Sequence, residues 1–223
     1  MTSNAFLTEK NAKSDFVLSP TYGVAVSGDI TSALSYRSEV RVNNERFRLY
    51  SELDSETVGI KSNVTYAVDD WQFIAEYYPK WNYSRGFEDL LLAVHDFTGT
   101  VRRPYQFSDT TIVPSVAVRR RLADIGSAEN VKLAASVKFV RDLMNDTKLI
   151  LAPGAAYTMY DEQVAGRDRR DLFLSFDAAL VWSPNAAVDV SLSVSAGRNE
   201  SPIDGLSYSV FAVSPTLGLT AKF

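Results

Sequence analysis

"TVGIKSNVTYAVDDWQFIAEYYPKWNY", Thr57–Tyr83, alternates apolar and polar residues on both sides of a short acidic break. Val58, Ile60, Val64, Tyr66 and Val68 share one parity. After Asp69-Asp70 the pattern resumes with Trp71, Phe73, Tyr77, Trp81 and Tyr83. A period of two belongs to a β-strand with one apolar and one polar face. The stretch therefore predicts a hairpin with a tight turn at "VDD". Its tryptophans stand at the two ends of one strand, Trp71 at the start and Trp81 near the finish.

The same alternation extends along the chain. It predicts about twelve strands, over residues 15–26, 33–42, 46–53, 57–68, 71–83, 89–101, 111–122, 131–141, 148–160, 172–182, 187–197 and 208–223. Helical periodicity is nearly absent. Apolar runs such as "LLLAV" and "AALVW" are far short of the roughly 20 residues of a spanning helix. Expected connections alternate between short ones ("NNE", "VDD", "MNDT", "SPNA") and longer ones ("PKWNYSRGFED", "DEQVAGRDRRD"), with "RRPYQFSDT" as an exception. Short turns at one end and longer loops at the other match a transmembrane barrel of the bacterial outer membrane. The fold class expected is an all-β, antiparallel, up-and-down transmembrane barrel of about 12 strands, with both termini periplasmic. An arm (1–14) precedes the barrel domain (15–223). If the first strand rises from the periplasm, Trp71 and Trp182 fall at the periplasmic rim with Phe16, Phe47 and Phe223. Trp81, Tyr83, Met159 and Tyr208 then fall at the opposite rim. Two aromatic belts suit the two interfaces of a bilayer.

Composition narrows the chemistry. The 223 residues carry a net charge of -4, no cysteine and one histidine. Thiolate chemistry, disulfides and multi-histidine metal sites are excluded, and no basic excess suggests nucleic acid. No cofactor, metal or catalytic site is expected, so the protein is read as not an enzyme. His95-Asp96 is the one pair that raises catalysis, but strand neighbours point to opposite faces. The opening "MTSNAFLTEKNAKSD" has no apolar signal-peptide core; the expectation is a chain that begins at its mature residues, Met1 being an added start.

The polar faces supply the candidate functional residues. Arg37, Glu39 and Arg41 come from the second expected strand, and Arg46, Arg48 and Glu52 from the third. Lys61, Arg119, Arg121, Lys132 and Lys138 follow. Cations predominate in this set, and a basic lumen favours anions. Equally, such charges can pair as a ladder that holds a narrow barrel together. The expected function is a passive outer-membrane channel for small anionic or saccharide solutes. A polysaccharide-export or secretion-linked barrel is the alternative, and a non-conducting structural or partner-binding barrel a further one. Lipid bilayer and lipopolysaccharide are the expected surroundings; the "RDRRD" run, Arg167–Asp171, could bridge lipopolysaccharide phosphates.

The ending "TLGLTAKF" resembles the C-terminal signal of outer-membrane barrels, with Thr216, Gly218, Ala221 and Phe223 in its slots. That resemblance implies the barrel assembly machinery as a partner. The two ends of the chain also resemble the beta-barrel porins linked to exopolysaccharide secretion. The matching phrases are Asn4-Ala5-Phe6, Ser14-Asp15-Phe16, Ser183-Pro184-Asn185 and Arg198-Asn199-Glu200-Ser201-Pro202-Ile203-Asp204. In that family the third phrase marks the last periplasmic turn and the fourth the last loop.

Overall fold

The computed structural model describes residues 17–144, 146–164, 166–185 and 188–219. They form a single antiparallel, up-and-down sheet of thirteen hydrogen-bonded strands. In chain order these are β1 (Val17–Leu18), β2 (Thr21–Asp29), β3 (Leu34–Phe47), β4 (Ser55–Val68), β5 (Trp71–Ser84), β6 (Leu90–Arg102) and β7 (Tyr105–Phe107). Then come β8 (Thr110–Ala123), β9 (Asn130–Asp142), β10 (Thr147–Tyr160), β11 (Arg170–Asn185), β12 (Val188–Glu200) and β13 (Tyr208–Leu219). Two are short in-line pieces: β1 and β2 both pair with β3, and β6 and β7 both pair with β8. Among the described residues no helix is long and apolar enough to cross a membrane.

The opening hairpin forms as read. Val68 pairs with Trp71 across Asp69-Asp70, and Asp69 takes a positive φ of 50° to close the turn. The third expected strand does not exist. Asn43, Asn44 and Glu45, expected as a turn, lie inside β3 and pair with Thr57, Glu56 and Ser55. β3 therefore runs on to Phe47, and residues 51–53 form a 3-10 turn. Three consecutive polar residues imitate a turn, but here their backbone groups find a full partner in β4. The apparent exception "RRPYQFSDT" also resolves. Pro104 has no N–H to give the ladder, so β6 ends just before it. The chain rejoins β8 as β7 and turns tightly at Ser108, whose φ is 52°.

Losing one expected strand reverses the direction of β2 and β3 relative to the rest. Phe47 lies beside the connection 48–54, at the long-connection end, not at the rim of Trp71 and Trp182. Those two stand at the tight-turn end, and Trp81, Tyr83 and Met159 at the other. Tyr208 is also at the long-connection end but opposes Asn199 on the polar face, so it does not join an outward belt. Among the described residues the sheet is open. β2 and β13 each pair on one side, and both run from the long-connection end to the tight-turn end. Two strands running the same way cannot complete an antiparallel ladder directly. The first described residue is thus at the long-connection end. Residues 1–14, Phe16, Ala221 and Phe223 lie outside the described residues.

The sheet is inverted relative to an ordinary core. Among the described residues the buried hydrophobics are only Val94 and Ala156. The buried polar ones are Asp54, Glu56, Asp96, Asn130, Thr158, Asp171 and Asn199. Large apolar side chains stand in the open on one face, among them Val24 at 80%, Tyr22 at 64%, Val116 at 52% and Leu192 at 52% exposure. Register keeps this face continuous: Val24 opposes Val40, Val40 opposes Ile60, Val101 opposes Val116, and Leu180 opposes Leu192. Directly opposed residues share a face, so one uninterrupted apolar surface runs across the sheet.

Candidate functional site

The polar face carries two charged bands with different balances. The first spans β3 to β5. Arg37, Glu39 and Arg41 follow at two-residue spacing on one face of β3. Glu39 accepts from Arg37 Nη2 at 3.4 Å and from Arg41 Nε and Nη2 at 2.5 and 3.1 Å. Lys61 stands opposite Glu39 in the register but pairs with Glu76, at 2.9 Å. Each acid of this band is engaged, while Arg37 and Arg41 remain about half exposed.

The second band spans β5 to β9 and centres on Asp96, which is 4% exposed. Arg121 donates a fork to its two oxygens, both at 2.8 Å. Lys80 Nζ lies 2.8 Å from Oδ2. Arg119 donates from Nη2 to Asn130 Oδ1 at 2.9 Å, while its Nε is 3.7 Å from Asp96, beyond hydrogen-bond range. Lys132 opposes Arg119 directly. Three cations therefore lie within ion-pair distance of one carboxylate, with Lys132 as a fourth beside them.

The long-connection end is stitched by further pairs. Asp171, 3% exposed, accepts from Arg169 Nε and Nη2 at 3.0 and 2.7 Å and from Asn199 at 3.3 Å. Arg169 also lies over the Tyr160 ring, 3.9 Å from its centroid. Arg170 pairs with Asp168 at 3.3 Å, so most of the "RDRRD" run is engaged within the chain. Beyond the strands, Asp161 accepts two bonds from Arg120, at 2.7 and 2.5 Å; that guanidinium holds its carboxyl below the usual range.

Of the residues expected on the polar face, Arg37, Glu39, Arg41, Lys61, Arg119, Arg121, Lys132 and Lys138 are there. Lys138 opposes Val113 and is exposed. Arg46 is not. It lies in the same strand as Arg41 at odd spacing, and so on the other face. It pairs with Glu56, which is 1% exposed and also accepts from the Phe87 N–H. Arg48 and Glu52 belong to the connection after β3. Arg37, Arg41, Arg46 and Arg48, expected on the same face of two adjacent strands, therefore do not come together as a cluster, because the second and third expected strands are one strand. Thr216 and Gly218 of β13 pair with Ser191 and Asp189 of β12.

Asp96 is the residue whose face the sequence leaves open. In "LLLAVHDFTG" either His95 or Asp96 can be assigned to the apolar side. The structure puts His95 there, opposite Pro79, with Nδ1 2.7 Å from Tyr77 Oη and Tyr77 stacked on Phe97 at 4.8 Å. Reading back from Phe97, Gly99 and Val101 would have given the correct parity. Across the wall from Asp96, His95 cannot orient on it, so the pair is no acid–base unit. Among the described residues no group of three metal-ligating side chains occurs. The chain matches no family model and no curated protein.

Proposed function

We propose that this chain is an outer-membrane β-barrel whose polar face lines a passive channel for small anionic or saccharide solutes. The observation that carries the reading is the inverted segregation of side chains. An apolar face of this extent, with residues such as Val24 and Val116 in the open, has no favourable place in water. Facing hydrocarbon, each such side chain is stabilised by about 1.5–3 kcal/mol. The aromatic residues Trp71 and Trp182 at one end of the sheet and Trp81 and Tyr83 at the other suit the two interfaces of a bilayer. On the polar face, the partly exposed Arg37 and Arg41 and the overloaded band around Asp96 favour anions over cations.

One observation favours a second reading, a non-conducting barrel held by its own charges. Asp96, Asn130, Asp171 and Asn199 are all buried towards the long-connection end and bonded to neighbours. Planar-bilayer recording of the purified protein separates the two. Steps of current with anion preference support the channel. A folded protein that conducts nothing supports the structural barrel, and cation preference refutes the basic-lumen reading.

A further inference from the structure

Arg119 and Lys132 form a direct cross-strand pair of like charges. Cβ atoms in such a pair are about 4.5–5.5 Å apart, and like charges at that separation destabilise a sheet unless something negative lies between them. The neighbouring acids serve the pair only in part, reaching Arg119 but not Lys132. Asp96 hydrogen-bonds to Arg121 through both oxygens and contacts Lys80 through Oδ2; its Oδ1 lies 3.7 Å from Arg119 Nε, within ion-pair but beyond hydrogen-bond range. Asp171 stands two strands from Lys132, with Thr158 between them, and bonds through Oδ2 to Arg169 and Asn199. Among the described residues, no carboxylate stands within ion-pair distance of Lys132. The Nε of Arg119 is buried without a hydrogen-bond partner. A buried donor left unpaired is unfavourable, so the site is unsatisfied twice over, in charge and in hydrogen bonding.

We infer that Arg119 and Lys132 form a seat for a small oxyanion group, a carboxylate or a phosphate, completed by the ligand's own charge. The chemistry of the pair selects the group. Part of Arg119's fork is already held by Asn130, so its free N–H and the Lys132 ammonium reach for separate oxygens of one anion. Thr98 and Thr158 flank the pair in the same cross-strand row, opposite Arg119 and Lys132 respectively. Neither brings a competing charge. By contrast, the Arg37–Glu39–Arg41 group supplies its own acid and needs no guest. The inference deepens the channel reading, on which it rests in taking the polar face as open to solutes. It turns a general preference into a discrete binding site.

The test uses full-length protein refolded in an uncharged detergent at low ionic strength, titrated calorimetrically with inorganic phosphate, D-glucuronate and D-glucose. Saturable binding of phosphate, glucuronate or both, with none for glucose, is expected. Glucuronate binding extends the seat to acidic sugars, and phosphate alone assigns it to tetrahedral anions. Lys132→Thr, which keeps a β-favouring residue, should weaken binding at least tenfold. It should also raise the thermal midpoint in probe-free buffer and abolish any phosphate-induced rise. Lys132→Gln serves if the threonine variant does not fold. Lys148→Gln, at the tight-turn end and paired with Asp142, should bind as the wild type does. Absence of saturable binding, or unchanged binding in both Lys132 variants, overturns the seat. A protein silent in bilayers that still binds refutes the channel and leaves the seat standing. An anion-selective channel without saturable binding refutes the seat alone.

Discussion

Val116→Arg tests whether the apolar face meets hydrocarbon. Val116 lies midway along β8, opposes Val101 and Ala135, and is 52% exposed. The same face of β8 carries an arginine at Arg120, bonded to Asp161 of the connection, and this marks where the apolar band ends. Four residues separate the two, about 13 Å along the strand. Val116 therefore lies well inside the band. An arginine at the midplane of a bilayer costs a barrel about 2–4 kcal/mol, and near an interface about 0–1. The first figure is roughly a 30- to 900-fold loss in the folded-to-unfolded ratio. A substitution on a water-facing surface usually changes stability by only about 0.5 kcal/mol in either direction. Urea titration of folding into lipid vesicles, followed by tryptophan fluorescence, measures the difference. Leu122→Arg is the control: it shares the face but lies beyond Arg120, towards the long connection. Val116→Arg should cost at least 2 kcal/mol more than wild type, to order of magnitude, and Leu122→Arg about 1 or less. Equal costs at the two positions, or a Val116 cost below about 0.5 kcal/mol, would refute burial of this face in lipid.

The other predictions address the polar face, the connections and the packing. Arg41→Ser should lower anion preference in bilayer recordings, most clearly at low salt where screening is weak. Arg46→Ala should leave selectivity unchanged but lower stability by up to about 3–5 kcal/mol in urea titration, because it strands the buried Glu56 carboxylate. Single cysteines at Gly86 or Arg167 should react with an impermeant label on intact cells, whereas those at Asp70 or Asp109 should not; the reverse pattern would invert the topology. Gly59→Val should cost about 1–3 kcal/mol by the same titration. A Cβ there meets the Tyr78 ring, which also lies 4.8 Å from Lys80 Nζ.

The period-two alternation was enough to determine the all-β class, the side of most residues and the hairpin at Asp69-Asp70. A residue's face follows from local backbone geometry, which repeats every two residues whatever else the chain does. Arg37, Arg41, Lys61, Arg119, Arg121 and Lys132 were legible for this reason. Where one strand stopped and the next began was not. Asn43-Asn44-Glu45 has the composition of a turn, and only pairing with Thr57, Glu56 and Ser55 keeps it extended. That single pairing moved Arg46 to the other face, dissolved the expected arginine cluster and reversed the first two long strands. The charge balance around Asp96 was equally out of reach. Parity names the face of a residue but not its height against strands further along the chain. Lys80, Asp96, Arg121 and the opposed Arg119 and Lys132 come from four strands. Only the register of the finished sheet set them at one level and left three cations within ion-pair distance of one acid, with Lys132 beside them.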